Sequence, residues 1–103
     1  RILVSDLCHE VTAFFREALE QRRLQYRLVV NVSDGASISG DWGLLFVVLK
    51  NLVSNAIRFT GEGGRVELQV KRWGGLIHFE VTDTGIGISE GEHALIFEKF
   101  YEV

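Results

Sequence analysis

Arg65-Val66-Glu67-Leu68-Gln69-Val70-Lys71-Arg72-Trp73-Gly74-Gly75-Leu76-Ile77-His78-Phe79-Glu80-Val81-Thr82-Asp83 is the stretch that decides the fold. Apolar residues recur at every second position on either side of Gly74-Gly75, and two glycines between alternating runs signal a hairpin. A two-residue turn sets Trp73 against Leu76, Val70 against Phe79 and Leu68 against Val81. Val66, Leu68, Val70, Ile77, Phe79 and Val81 then line one face. The same alternation carries Asp83 onto that buried face, opposite Val66. A carboxylate there costs free energy unless donors from protein or ligand meet it, so Asp83 is the first candidate functional residue. His78 falls on the other face, opposite Lys71, a position the alternation predicts to be solvated.

Upstream, Gly61-Glu62-Gly63-Gly64 ends a long helix predicted over residues 42–59, with Asp41 as its N-cap. Within it Asn51, Asn55 and Arg58 stand at i, i+4 and i+7 and share one face of an otherwise apolar helix. Two amide oxygens and a guanidinium suit a hard cation and the phosphates it neutralises, because Mg²⁺ takes oxygen ligands and usually shares them with phosphate. The residues alone leave two alternatives open: buried asparagines that satisfy backbone or each other, and an Arg58 that is a solvated helix charge. Downstream, Asp83-Thr84-Gly85-Ile86-Gly87 sets an acceptor-only group before two glycines, whose missing side chains let backbone lie close to a flat ligand. Its alternative is a simple turn.

These two segments resemble the N box and G1 box of the catalytic ATP-binding domain of bacterial sensor histidine kinases. Ile96-Phe97-Glu98-Lys99-Phe100-Tyr101 is similar to the F box of that family, and Gly40-Asp41 precedes the Asn helix as a Gly-Asp does there. Three motifs in the family's order are specific, where a lone D-x-G-x-G would be weak. The resemblance implies an α/β (α+β) two-layer sandwich of the Bergerat type, with helices on one face of a mixed, mostly antiparallel sheet. It implies one ATP-binding domain over residues 1–103, incomplete at its C-terminal end, because the family continues into an ATP lid and a G2 box.

By the same resemblance, Asp83 accepts a hydrogen bond from the exocyclic amine of adenine, and Gly85 and Gly87 shape the turn beside it. Ile86 and Ile88 contact the base. Asn55 coordinates Mg²⁺, Arg58 stands for a cation near the phosphates of ATP, and Asn51 lies beside them. Where the family carries a lysine, the guanidinium of Arg58 still binds phosphate. Phe97, Phe100 and Tyr101 serve as core aromatics and as the hinge on which the lid packs.

The implied reaction is phosphoryl transfer from MgATP to a histidine on a separate dimerisation domain of the same homodimeric kinase, then onward to the receiver domain of a response regulator. The intact protein is then a protein-histidine kinase; this stretch carries no catalytic residue of its own and is expected to be inactive alone. In the wider GHKL group, including DNA gyrase, the first Asn position resembles a glutamate that activates water. Asn51 has no basic lone pair at neutral pH, so hydrolysis is disfavoured, whereas a neutral histidine acceptor is already nucleophilic. His9-Glu10 looks like the acceptor pair but continues Val11-Thr12-Ala13-Phe14, so a helix-surface histidine is the better reading. Two other classes remain: a non-catalytic nucleotide-binding or protein-docking module, and another GHKL ATPase, which Asn51 disfavours.

Composition sets the outer bounds. With 103 residues, 47% apolar and 24% charged, the chain supports one core and is not a disordered polymer. A net charge of −3 without a Lys/Arg stripe argues against nucleic acid as a partner. No apolar run approaches a bilayer span and nothing resembles a signal peptide; the single cysteine, unable to form an intramolecular disulfide, suits a reducing cytoplasm. The resemblance adds an intact protein anchored in the inner membrane, with this domain on the cytoplasmic side. Cys8 has no disulfide partner, and flanking Leu7 and Val11 favour a buried thiol. The absence of methionine and the start at Arg1 suggest a piece of a larger protein.

At the N-terminal end, Ser5 or Asp6 is the expected cap of a helix whose apolar positions Leu7, Val11, Phe14, Phe15, Ala18 and Leu19 run to about Arg22. Residues 26–32 are β-branched and aromatic, hence a strand. Residues 36–39 suit a short strand after the Ser33-Asp34-Gly35 turn. His93 is expected in a loop or short helix, with no spacing of Cys or carboxylates to support a metal site.

Overall fold

The computed structural model describes residues 2–83 and, with backbone only at Trp73, continues over the backbone of residues 91–97. A two-residue strand β1 (Ile2–Leu3) leads straight into helix α1 (Val4–Gln21). Strand β2 (Gln25–Asn31), short strand β3 (Ser37–Ile38) and helix α2 (Trp42–Phe59) follow. The hairpin is β4 (Arg65–Trp73) and β5 (Leu76–Asp83), and the last strand is β6 (Gly91–Phe97). The main sheet runs β2-β4-β5-β6, and β1 pairs with β3 in a separate two-stranded ribbon. Among the described residues only β2–β4 is parallel; β4–β5 and β5–β6 are antiparallel. Both helices pack on one face, giving the expected two layers.

The hairpin register is the expected one throughout: Trp73 with Leu76, Val70 with Phe79, Leu68 with Val81 and Val66 with Asp83. Gly74 adopts φ +57°, the left-handed conformation that a tight hairpin turn requires and that side chains disfavour. Val66, Leu68, Val70, Ile77, Phe79 and Val81 are fully buried. Against them α1 places Val4, Leu7, Cys8, Val11, Phe15 and Leu19, and α2 places Leu45, Leu49, Val53, Ala56 and Ile57. Burial pushes the Cys8 thiol up to about 12, so it stays protonated and inert at neutral pH.

Asp41 caps α2 as its position predicts: Oδ1 accepts from Leu44 N–H at 3.1 Å, an arrangement that typically contributes about 1 kcal/mol. The start of α1 differs from expectation. The helix begins at Val4 with Leu3 as N-cap and without a side-chain cap, so Ser5 and Asp6 lie inside the first turn. The cause is tertiary: Val4 N–H donates to Ala36 O at 3.0 Å, in continuation of the β1–β3 ribbon, and this satisfies a donor that a cap would otherwise serve. Phe14 also departs from the predicted core. It is 56% exposed, stacks edge-on against Phe15 and Phe46 at 5.0 and 5.8 Å, and lies under the Lys50 ammonium at 5.2 Å.

Two further expectations change. By length and composition, α2 is apolar enough to cross a membrane, contrary to the sequence reading. Its sheet-facing residues are used by the core, while Trp42, Leu44, Val47 and Phe59 remain exposed. His93 lies in β6, opposite Val81, and not in a loop or short helix. β6 pairs along the side of β5 that β4 leaves open, so the backbone donors and acceptors of β5 are matched on both sides.

Candidate functional site

Asp83 ends β5 on the helix-facing side and is only 4% exposed, flanked in register by Val66 and Gly91. Pleat parity, set by the glycine turn nine residues earlier, puts it there. Buried carboxylates are uncommon unless something specific engages them. His78 is a correction: it does lie on the outer face opposite Lys71, yet it is buried, at 6% exposure. Strand β5 is interior to the sheet, and β4 and β6 on its two sides crowd positions that alternation alone makes wet.

Asn51, Asn55 and Arg58 are all exposed, along one side of α2. That removes the reading of Asn51 and Asn55 as buried, self-satisfied amides. Arg58 lies with its guanidinium carbon 5.8 Å from the Phe59 ring centroid, within cation–π range, on an exposed side chain. The helix packs on the sheet face that carries Asp83. The structure thus brings the polar stripe and the buried carboxylate onto neighbouring elements, the stripe outward and the carboxylate inward.

Gly85, Ile86, Gly87 and Ile88 lie outside the described residues, as do Phe100 and Tyr101. Phe97 closes β6, and its side chain is likewise outside them. His9 is exposed on α1, the surface position its context predicts. Among the described residues no cluster of three or more His, Cys, Asp or Glu could hold a metal ion. An exposed amide oxygen such as that of Asn55 fits Mg²⁺ chemistry, since that ion keeps several waters and takes one or two protein oxygens beside phosphate.

Two residues that sequence reasoning passed over hold the end of α2. Thr60 is fully buried and donates through Oγ1 to Ala56 O at 2.6 Å. Arg22, at the end of α1, donates through Nη1 to Ile57 O and through Nη2 to Thr60 O, the latter at 2.8 Å. Thr60 follows the Asn helix at a position where its hydroxyl can reach back four residues, which is a readable signal. Arg22 lies 35 residues from Ile57, and no local pattern announces such a pair.

Comparison with known proteins agrees with this architecture. The family described as Histidine kinase-, DNA gyrase B-, and HSP90-like ATPase matches residues 40–102. The chain belongs to that family. The sensor-like histidine kinase SenX3 of Mycolicibacterium smegmatis is 33% identical over 99 residues, covering 91% of this chain. The chain spans 26% of that kinase's length. Among solved structures, histidine kinase ThkA in complex with response regulator protein TrrA superposes with a TM-score of 0.75 at 25% identity, covering 82% of this chain and 25% of that one. Full-length ShkA in complex with AMPPNP gives a TM-score of 0.69 at 27% identity, covering 80% of this chain and 18% of its own.

Proposed function

We propose that this chain is the ATP-binding domain of a sensor histidine kinase, holding MgATP for phosphoryl transfer to a histidine on a separate dimerisation domain. The observation that carries the reading is the buried Asp83 carboxylate at the end of a core strand, next to a helix whose exposed side carries Asn51, Asn55 and Arg58. Asp83 accepts from the adenine amine, a choice that favours adenine over guanine, which presents a carbonyl there. Arg58 and Asn51 neutralise and orient the phosphates, and Asn55 offers its amide oxygen to Mg²⁺. When bound, the ion offsets charge on the phosphate oxygens. Positioning and charge neutralisation are most of what a protein contributes to this class of reaction.

By likeness to the family, we assign close backbone approach to the base to Gly85 and Gly87, apolar contact with it to Ile86 and Ile88, and lid packing to Phe97 and Phe100. The likeness to a kinase solved with its response regulator supports a receiver domain as the downstream partner. The likeness to a kinase solved with AMPPNP supports an adenine nucleotide as ligand. The intact kinase works as a homodimer, with this domain on the cytoplasmic side of the membrane. Water attack is disfavoured because Asn51 cannot act as a base.

Asn55→Ala tests the metal assignment. The substitution removes an exposed amide and leaves the core untouched, so the thermal midpoint stays within about 2 °C of wild type. Calorimetry is expected to show MgATP affinity falling by about tenfold, while affinity for ATP without divalent metal stays constant. Unchanged MgATP affinity would remove Asn55 from the metal site.

A further inference from the structure

We infer that Arg22 is a positioning residue for the phosphate- and metal-facing end of α2, an inference that rests on the nucleotide reading above. The last turn of a helix leaves its carbonyls without intrahelical donors, and these carry the negative end of the helix dipole. In α2 that turn contains Arg58 and lies directly after Asn55. Thr60 Oγ1 serves Ala56 O, and the Thr60 backbone N–H reaches Ile57 O at 3.3 Å. The Arg22 guanidinium then bridges Ile57 O and Thr60 O, the residues immediately before and two after Arg58. A planar fork with two donors fixes both the spacing and the direction of those carbonyls, which a point charge does not.

Arg22 is itself held in place. Its N–H donates to Ala18 O at 3.1 Å as α1 ends, and Leu24 N–H returns to Leu19 O at 2.9 Å. The two connections after α1 and α2 are laced together: Gly63 N–H donates to Arg23 O at 3.2 Å, Gln25 N–H donates to Gly64 O at 2.9 Å, and Arg23 pairs with Glu62 at 3.5 Å. The clamp therefore joins a rigid α1 to the end of α2 that carries the stripe. Asp83, on a separate strand, takes no part in it. Loss of Arg22 should loosen the phosphate half of the site and spare the adenine half.

The test is calorimetric titration of the whole chain with MgATP and, separately, with adenosine, for wild type, Arg22→Ala, Arg22→Lys and Asn55→Ala. Arg22→Ala is expected to weaken MgATP about tenfold and adenosine less than about twofold. Arg22→Lys keeps the charge and loses the fork, so it gives the same change of ratio with smaller amplitude; it also serves if Arg22→Ala does not fold. Equal losses for both ligands, or none, while Asn55→Ala still weakens MgATP, would overturn the role of Arg22 alone. A wild-type chain that takes up no MgATP would remove the nucleotide reading and this inference with it, whereas an Asn55→Ala chain that binds MgATP unchanged would remove the metal assignment and, with it, the metal-facing part of this inference.

Discussion

Replacing Asp83 with Asn is expected to weaken ATP and ADP alike, by about a hundredfold or more. The side chains are nearly isosteric, so the fold should be retained and the change is chemical. Asp83 is an acceptor-only group at 4% exposure, and an amide in its place replaces part of that acceptor with a donor, which the amine of adenine cannot match. A site built to match a hydrogen-bonding group rejects mismatches steeply, because buried polar groups are left unpaired. Both nucleotides carry the same base, so both must lose affinity. Competition against a fluorescent adenine nucleotide measures it; a loss confined to ATP would place Asp83 at the γ-phosphate and end the adenine assignment.

Phe79→Ala is expected to destabilise the domain by about 3–5 kcal/mol. Phe79 is fully buried at the centre of the sheet, with Val70 and Leu95 as its register neighbours. Truncation leaves a cavity that two packed helices and a sheet cannot close, and this loss is a large share of the roughly 5–15 kcal/mol that holds a domain folded. Phe14→Ala, at a ring 56% exposed, should cost less than about 1.5 kcal/mol, mostly from its edge-on ring contacts and the Lys50 ammonium. Urea unfolding of both variants gives the comparison. Equal shifts in midpoint would mean that the core lies elsewhere.

The hairpin was legible because two independent signals agree: the glycine pair pins the turn, and period-two alternation then assigns every side chain to a face. Asp83 followed from that arithmetic alone, and Asp41 from helix-cap chemistry. The misreadings share a different cause. Ser5 and Asp6 looked like caps because the donor bond from Val4 to Ala36 crosses between segments that no local window contains. His78 looked solvated because alternation reports a face and not how crowded that face is by adjacent strands. Arg22 gave no signal, since its partners are carbonyls, and any residue type supplies a carbonyl.

The parallel pairing of β2 with β4 has a kinetic consequence. Gln25 meets Arg65 across forty residues of chain that include the whole of α2, whereas β4 and β5 are neighbours through two glycines. Closing a long loop costs entropy before any contact offsets it, while a hairpin forms within about 1–10 μs. The order of assembly is therefore hairpin with α2 first and β2 afterwards, with β2 zipping onto an edge already formed. Stopped-flow kinetics should then find that Val81→Ala slows folding and Leu28→Ala mainly speeds unfolding. During synthesis the chain emerges in the opposite sense, so β2 stands as an unpaired edge until residue 73 has left the ribosome, and in that interval the nascent domain is most exposed to pairing with a neighbour.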